Sequence, residues 1–264
     1  MIQSLKNLLS SQRKKIKIKQ IPEEQYKALS ALKCRVWYNQ YGGYCLPESS
    51  LHRSAARRVL RGDVYEPATL EFMRAHCGEG DIVHAGTYFG DFLPALASGC
   101  GANSEVWAFE PNPENYRCAQ ITCLINALNN VHLQNAGLGD ELAELYMRTV
   151  DTDGRSMGGK SRIIAQEDYD EARDEKIRIT CIDEAVPVDR NVSIVQLDVE
   201  DHEKAALTGA LQTIKRCLPI LILEVRKESD LLDSAWFADT ILSLGYKQTD
   251  TVHGNVVFRC PHDK

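Results

Sequence analysis

The residues Asp81-Ile82-Val83-His84-Ala85-Gly86-Thr87-Tyr88-Phe89-Gly90 (81–90) predict a buried strand followed by a glycine-containing turn. Residues 81–85 are mostly apolar and come directly after the turn sequence Gly78-Glu79-Gly80. The apolar pattern of residues 89–97 predicts a helix after the turn. A strand, a tight turn and a helix in this order form the first unit of an α/β fold, so the core is expected to begin here.

Strand and helix patterns alternate along the rest of the chain. Strands are predicted at 104–109, 131–134, 142–150, 177–182, 192–197, 220–225, 246–249 and 256–259, and helices at 67–75, 113–127, 203–217 and 231–244. The strand at 142–150 alternates polar and apolar residues, which suits a sheet edge, and residues 151–174 are typical of an insertion loop. The alternation predicts a doubly wound α/β fold, with a mostly parallel seven-stranded sheet covered by helices on both faces.

The first 62 residues lack this alternation. They are basic near the start, then aromatic and glycine-rich at Trp37-Tyr38-Asn39-Gln40-Tyr41-Gly42-Gly43-Tyr44. We expect residues 1–62 to form a mainly helical extension that caps the substrate side, because the aromatic run would otherwise expose apolar area to water. Residues 63–264 then form the ligand-binding α/β domain.

The composition is that of an ordinary globular protein. The 264 residues are 44% hydrophobic and 26% charged, and the formal net charge is −6. No apolar run approaches the roughly 20 residues of a membrane span, and no apolar signal core stands near the start. The nine cysteines include no Cys-x-x-Cys pair, which favours reduced thiols over a metal site. We expect a soluble, cytoplasmic protein, and the sequence leaves open whether it forms a homo-oligomer.

A nucleic acid is not the expected partner. Nucleic-acid binding draws its affinity from basic surfaces, and this chain is acidic overall. The exception is the basic stretch Arg13-Lys14-Lys15-Ile16-Lys17-Ile18-Lys19. Such a stretch is more often a solvated tail or helix end than an RNA or membrane patch.

The loop after the first strand is a candidate for ligand binding, because ligands lie beyond the carboxyl ends of the strands in open parallel sheets. Gly86 and Gly90 let the backbone turn sharply and approach a ligand, and the following helix offers free N–H groups. A purely structural strand-to-helix turn uses similar residues. The loop alone therefore does not decide between the two interpretations.

A carboxylate at the end of the second strand favours ligand binding. Glu110, in the sequence Phe109-Glu110-Pro111-Asn112, lies 24 residues after Gly86. An acid about 20 residues beyond a glycine loop is placed to accept the hydroxyl protons of a bound ribose. The alternative is a surface glutamate that caps the helix beginning at Pro113.

The bound nucleoside is predicted to be S-adenosylmethionine rather than a dinucleotide. A dinucleotide site has a third glycine at the start of the helix, and the position three residues after Gly90 is Leu93. S-adenosylmethionine has no pyrophosphate and needs no cradle for one. Gly137 and Leu138, which follow the third strand, are expected to flank its adenine.

The chain resembles the FkbM-type methyltransferase family over about residues 65–225. The motifs that carry the resemblance are Tyr65-Glu66-Pro67, Gly86-Thr87-Tyr88-Phe89-Gly90, Phe109-Glu110-Pro111-Asn112-Pro113-Glu114-Asn115, Asn135-Ala136-Gly137-Leu138-Gly139-Asp140, Leu197-Asp198-Val199-Glu200-Asp201-His202-Glu203 and Leu223-Glu224-Val225. The resemblance implies a Rossmann-like O-methyltransferase that acts on hydroxyls of small molecules, glycans or other natural products. The cofactor-binding residues then expected are Glu66, His84, Gly86, Thr87, Tyr88, Phe89, Gly90, Glu110, Pro111, Asn112, Gly137 and Leu138.

The loop after the strand at 192–197 carries the expected catalytic residues. Methyl transfer from a sulfonium is an in-line displacement, so the protein mainly aligns donor and acceptor and removes a proton. Asp198 stands at the strand end, Glu200 follows it, and His202 titrates nearest neutrality. Alternatively, Asp198 or Asp201 caps the next helix. The same acids are divalent-cation ligands by type, but the sequence does not show that they converge, so no metal site is predicted.

Two positions depart from the family's pattern. The family has an acid two residues before its first loop glycine, where this chain has His84. It also has a glycine after the Asp-x-Glu triplet, where this chain has Asp201. A catalytically silent nucleoside-binding or interaction protein therefore remains an alternative, as does an RNA methyltransferase, which only the basic stretch supports.

Overall fold

The computed structural model of the protein describes residues 32–226 and 228–261. The strands are β1 (Cys34–Asn39), β2 (Gly42–Pro47), β3 (Asp81–Ala85), β4 (Val106–Phe109), β5 (Val131–Gln134), β6 (Gly137–Leu138), β7 (Ala143–Arg148), β8 (Arg162–Ile164), β9 (Asp174–Thr180), β10 (Val192–Leu197), β11 (Ile220–Leu223), β12 (Lys247–Val252) and β13 (Asn255–Arg259). The α-helices are α1 (Ser54–Val59), α2 (Pro67–His76), α3 (Leu93–Gly99), α4 (Pro113–Ile125), α5 (Ile182–Ala185), α6 (Glu203–Thr208), α7 (Leu211–Cys217) and α8 (Ala235–Thr240). The basic stretch at 13–19 lies outside the described residues.

The central sheet has seven strands in the order β12-β13-β11-β10-β3-β4-β5. Strands β11, β10, β3, β4 and β5 are parallel, and β13 is antiparallel to both of its neighbours. The predicted doubly wound, mostly parallel sheet is therefore confirmed. The chain leaves β3 towards β4 and β5 on one side, and returns to place β10 and β11 on the other. The strand order thus reverses between β3 and β10, which is where a ligand binds in such sheets.

Helices cover both faces of the sheet. Ile82 and Val83 are consecutive residues of β3, both have no solvent exposure, and they point to opposite faces. Ile82 packs in a cluster with Leu70 and Met73 of α2. Val83 packs in a second cluster that includes Leu207 of α6. The near-continuous apolar runs of β3 and β10 follow from this burial on both sides.

The first described residues form a β-hairpin where the sequence predicted helix. Strands β1 and β2 pair antiparallel, and Tyr44, Cys45 and Leu46 of β2 have no solvent exposure. The backbone N–H of Cys45 donates to Thr122 Oγ1 on α4 at 3.0 Å. Aromatic residues around a Gly42-Gly43 turn favour strands, so a hairpin stands where helix was predicted. Of the aromatic run, Tyr44 is buried, whereas Trp37 and Tyr38 are 45% and 66% exposed. The hairpin and the central sheet belong to the same compact unit, and this unit begins at Lys33.

A second, four-stranded sheet holds the predicted strand at 142–150. Its order is β6-β9-β7-β8, so β7 is an interior strand and the edge prediction was wrong. The reason is that β8 arises from the predicted insertion loop at 151–174 and pairs antiparallel with β7. The insertion is therefore partly a strand, and its Gly158–Lys160 turn reaches the functional site described below.

Three predicted helices are shorter than expected. The helix at 203–217 divides into α6 and α7 at Gly209, where a Cβ would lie 1.9 Å from the Gly139 carbonyl oxygen. This close approach ends α6. The helix predicted from residue 89 begins at Leu93 (α3), and that predicted over 231–244 is reduced to α8 between short 3-10 turns.

The state of the cysteines and the length of the described helices can be compared with what the composition predicted. All nine cysteines are free thiols. Within 32–226 and 228–261, none of the helices has the length and apolarity of a membrane-crossing segment.

Candidate functional site

The inner cavity lies beyond the carboxyl ends of β3, β4 and β10. Its volume, counted with the open solvent at its mouth, is about 490 Å³. Phe109, Leu138, Met147 and Ile163 supply apolar wall, and Glu110 is a polar group of the lining. An apolar pocket with few polar groups suits a flat base joined to a sugar.

Gly86 brings the loops after β3 and β10 into backbone contact. Its φ is +84°, and a Cβ there would lie 2.1 Å from the Asp198 carbonyl oxygen. The Asp198 N–H in turn donates to the Ala85 carbonyl at 3.2 Å. Only glycine combines this backbone conformation with this approach, so Gly86 fixes the place of Asp198.

Glu110 is buried in the inner cavity and is not a surface cap. Its Oε2 accepts the Tyr88 N–H at 2.6 Å, and its Oε1 accepts the Asn112 N–H at 2.8 Å. The N-cap of α4 is Asn112, whose side chain accepts from the Glu114 and Asn115 N–H groups, so the capping alternative for Glu110 is wrong. Burial raises the pKa of Glu110 to about 8, against the opposing effect of these hydrogen bonds. Asn115 Nδ2 also donates to Oε1, at 3.4 Å. A carboxylate has about four acceptor positions, so one remains for a ligand.

The outer cavity adjoins the inner one and shares Gly86, Gly159, Asp198 and Glu200 with it. Its own lining includes two groups of opposite charge. The acidic group is Asp91 and Glu224 together with the shared acids, and the basic group is Arg53 and Lys160. Asp198 therefore stands where the two cavities meet.

Asp198 forms a carboxyl pair with Glu224. Burial, then the charge of Glu224 and a hydrogen bond with it, raise the pKa of Asp198 well above its usual range. Asp91 is 8% exposed, and burial followed by the charge of Glu66 raises its pKa to about 7. Burial also raises the pKa of Glu66. Each of these carboxyls ionises more readily when a cation is brought beside it, so this cavity favours a positively charged group.

Glu200 and Asp201 are held by one arginine. Arg226 donates to Glu200, and its Nη1 lies 2.6 Å from Asp201 Oδ2. Both acids have left-handed backbone, with φ of +52° and +76°. The left-handed φ explains why glycine suits position 201, and the ion pair with Arg226 offsets part of a strain of about 1–3 kcal/mol.

His202, and not Asp198 or Asp201, is the N-cap residue of α6. Glu203 closes the same turn by accepting the Val199 N–H at 3.3 Å. The capping alternative for the two aspartates is therefore wrong. Burial lowers the pKa of His202, which lines the inner cavity, so its imidazole is neutral at pH 7 and able to accept a proton.

His84 faces the core instead of either cavity. Its Nδ1 donates to Gln196 Oε1 at 2.5 Å, its ring stacks on Phe92, and its Nε2 has no partner. Burial lowers its pKa to about 4, so the ring is neutral. In this chain, position 84 therefore supplies no charge to a ligand.

The structure brings some predicted site residues together and leaves others apart. Those that line a cavity are Gly86, Tyr88, Glu110, Pro111, Gly137, Leu138, Asp198, Glu200 and His202. Those that do not are Glu66, His84, Thr87, Phe89, Gly90 and Asn112. The second group supports the first: Thr87 and Phe89 are core residues, and Glu66 accepts hydrogen bonds from Thr69 and Asn255.

Sequence reasoning missed the wall that the insertion contributes. Gly158, Gly159, Lys160 and Ser161 line the cavities, and Asp91 directly follows the glycine loop. The run Gly158-Gly159-Lys160-Ser161 is a turn sequence that contains a cation, and this was the sequence signal that could have identified the wall. Within the described parts of the chain, no three His, Cys, Asp or Glu side chains are arranged to hold a metal ion.

Comparison with known proteins gives one family and several structures. The profile of the family described as Methyltransferase FkbM domain matches residues 84–247, more than half of the 264-residue chain. Among solved structures, the chain is similar to Methyltransferase FkbM from Methylobacillus flagellatus KT, with 19% identity and a TM-score of 0.49. That match covers 69% of this chain and 44% of the other, so this chain spans less than half of that protein's length.

Two further structures match over most of both chains. The chain is similar to M. jannaschii TYW2 in complex with AdoMet, with 14% identity, a TM-score of 0.46 and coverage of 87% and 88%. It is also similar to a methyltransferase from Geobacter sulfurreducens, with 13% identity, a TM-score of 0.44 and coverage of 91% and 98%. Comparison with curated proteins gives no match.

Proposed function

The chain belongs to the FkbM methyltransferase family, and from this premise we propose that it methylates a hydroxyl of a small molecule or glycan. The family sets the reaction class, a methyl transfer that depends on S-adenosylmethionine. The observation that carries the proposal is the meeting of the two cavities at Gly86 and Asp198. One cavity suits a nucleoside, the other is open to an acceptor, and a carboxyl pair stands between them.

The inner cavity fits the nucleoside of S-adenosylmethionine. Leu138, Met147 and Ile163 provide apolar surface for the adenine, and Glu110 retains an acceptor position for a ribose hydroxyl. Asp91 offers a carboxylate for the positively charged methionine end, a role that the buried, neutral His84 does not fill. When bound, S-adenosylmethionine supplies a methyl group on a sulfonium, which is a good leaving group.

Asp198 is the group that we assign to the acceptor hydroxyl. Once ionised, the Asp198 carboxylate would accept the proton of the hydroxyl that takes the methyl group, while S-adenosylmethionine, when bound, would release its sulfur as a neutral thioether. Burial, then the charge of Glu224 and a hydrogen bond with it, raise the pKa of Asp198 well above its usual range, which supports a carboxylate with high proton affinity at this position. The neutral imidazole of His202 is the second candidate for this proton.

Glu110→Ala is expected to weaken the binding of S-adenosylhomocysteine by about 1–3 kcal/mol, because hydrogen bonds from the ribose to a carboxylate are charge-assisted. Calorimetric titration measures the loss. Glu105→Ala is the matched control, since Glu105 directly precedes β4 at its opposite end and lines neither cavity. Equal affinity of the Glu110 variant and the unchanged protein would remove the ribose assignment.

The affinity for S-adenosylhomocysteine is expected to rise with pH between about 6.5 and 8.5. The pKa of Glu110 is raised to about 8, so the carboxyl is largely protonated below that pH. Ribose hydroxyls donate to the ionised form, so binding releases a proton and strengthens as Glu110 ionises, by at most about tenfold per pH unit. In Glu110→Gln this part of the rise disappears. An affinity that falls over this range in the unchanged protein would contradict the assignment.

A further inference from the structure

The exposed side of α1 carries a row of arginines at the mouth of the outer cavity. Ser54, Arg57, Arg58 and Arg61 border one surface groove, which we call the arginine groove. Ser54 also lines the outer cavity, so the groove and the cavity meet at this residue. From Ser54 to Arg61 the groove extends about 10 Å at the rise of a helix.

The arginine side chains of the groove form few interactions with the rest of the described structure. Within residues 32–226 and 228–261, the guanidinium groups of Arg57 and Arg61 form no hydrogen bond or ion pair, and both residues are exposed. Arg58 Nη1 lies 3.8 Å from Asp63 Oδ2, and both side chains are more than half exposed, so this ion pair contributes little to the stability of the fold. Buried Ala55, Ala56 and Val59 hold the helix in place instead.

Helix stability does not account for the row. Arg57 and Arg58 lie in the last turn of α1, where a cation interacts well with the helix dipole. Arg61 lies beyond the helix end and gains no such benefit. Arg57 and Arg61 are four residues apart, a spacing at which like charges repel. A net charge of −6 for the whole chain makes this local concentration of positive charge more distinctive.

We infer that the arginine groove binds a phosphate or similar oxyanion carried by the acceptor, whose hydroxyl enters the adjoining outer cavity. The inference rests on the proposed function. Guanidinium groups bind phosphate oxygens in pairs, and three of them border the groove. Four acids of the outer cavity outnumber its two cations, Arg53 and Lys160, whereas the groove is lined by arginines and Ser54 alone, so the phosphate of the acceptor is better placed in the groove while its hydroxyl enters the cavity. A small phosphorylated sugar or nucleoside has this size and charge.

Titration of the full chain with inorganic pyrophosphate, in the presence of saturating S-adenosylhomocysteine, tests the groove. We expect binding by the unchanged protein, and weakening by about tenfold or more in the double variant Arg57→Gln/Arg61→Gln, which loses two guanidinium groups. The control is Arg178→Gln/Lys247→Gln, which removes the same charge at exposed residues outside the cavities and the groove. The control should bind pyrophosphate as the unchanged protein does.

The outcomes separate this inference from the proposed function. If S-adenosylhomocysteine binds but pyrophosphate does not, the groove assignment is wrong and the methyltransferase assignment stands. If S-adenosylhomocysteine does not bind, the proposed function fails first. Equal losses in the two double variants would show an unspecific charge effect and overturn the inference. Tight binding of a single-stranded RNA would also overturn the inference. If the RNA bound far more tightly than pyrophosphate, with a steep salt dependence, the groove would be a nucleic-acid surface.

Discussion

Asp198→Asn is expected to lower kcat by about a hundredfold or more, the range that general bases and orienting groups contribute. The substitution keeps the size of the side chain and its ability to contact Glu224, but an amide does not accept the hydroxyl proton. The affinity for S-adenosylhomocysteine should stay within about threefold, because the nucleoside contacts lie with Glu110 in the inner cavity. Turnover on a hydroxylated acceptor and titration of the product give the two readings.

His202→Ala distinguishes the two candidates for the proton acceptor. Burial lowers the pKa of His202, so a base at this residue would place the acid limb of the pH-rate profile below pH 6.5, and the substitution would remove that limb. If Asp198 is the acceptor, the limb persists in His202→Ala. Full activity of Asp198→Asn would contradict the assignment and leave alignment alone to account for the rate.

Glu200, the third predicted catalytic residue, is better described as a positioning residue. The Glu200 carboxylate accepts a hydrogen bond from Arg226, which also pairs with Asp201. Arg226 therefore already offsets the charge of Glu200. The glycine that the family pattern has at position 201 is replaced here by an acid that binds the same arginine. This pairing gives Asp201 a structural reason to be present, so the departure from the family's pattern does not by itself indicate loss of activity.

The central sheet and the main site residues were predictable because their signals are local. An apolar run bounded by turns identifies β3, β4 and β10. The residues that directly follow parallel strands share one edge, which placed Gly86, Glu110 and Asp198 together. All three line the inner cavity as expected.

The remaining features depend on partners far away in the sequence. His84 is neutral because burial lowers its pKa, and it is buried by contacts that include a hydrogen bond to Gln196, 112 residues later, and stacking on Phe92. Arg53 reaches the site because its guanidinium donates to the Ser156 carbonyl, 103 residues later. Strand β2 is held by the burial of Tyr44, Cys45 and Leu46 and by the hydrogen bond from the Cys45 N–H to Thr122 of α4, 77 residues later. No local pattern contains these contacts.

Gly86→Ala is expected to destabilise the protein by about 2–5 kcal/mol and to abolish measurable binding of S-adenosylhomocysteine. A left-handed backbone costs a residue with a Cβ about 1–2 kcal/mol, and φ at Gly86 is +84°. The Cβ would also lie 2.1 Å from the Asp198 carbonyl oxygen, and relieving such a clash costs a further 1–3 kcal/mol or so. For a chain of this size the total corresponds to a fall in Tm of roughly 10 °C.

Gly62→Ala separates the clash from the backbone cost. Gly62 has a similar φ of +79°, and a Cβ there meets nothing within 4 Å among the described residues. The control should therefore lose only about 1–2 kcal/mol and retain its affinity for S-adenosylhomocysteine. The difference between the two variants measures how tightly the loop after β3 holds the Asp198 backbone. Equal Tm values for the two variants would mean that the loop after β10 yields without cost, and Gly86 would then have no role in fixing Asp198 between the cavities.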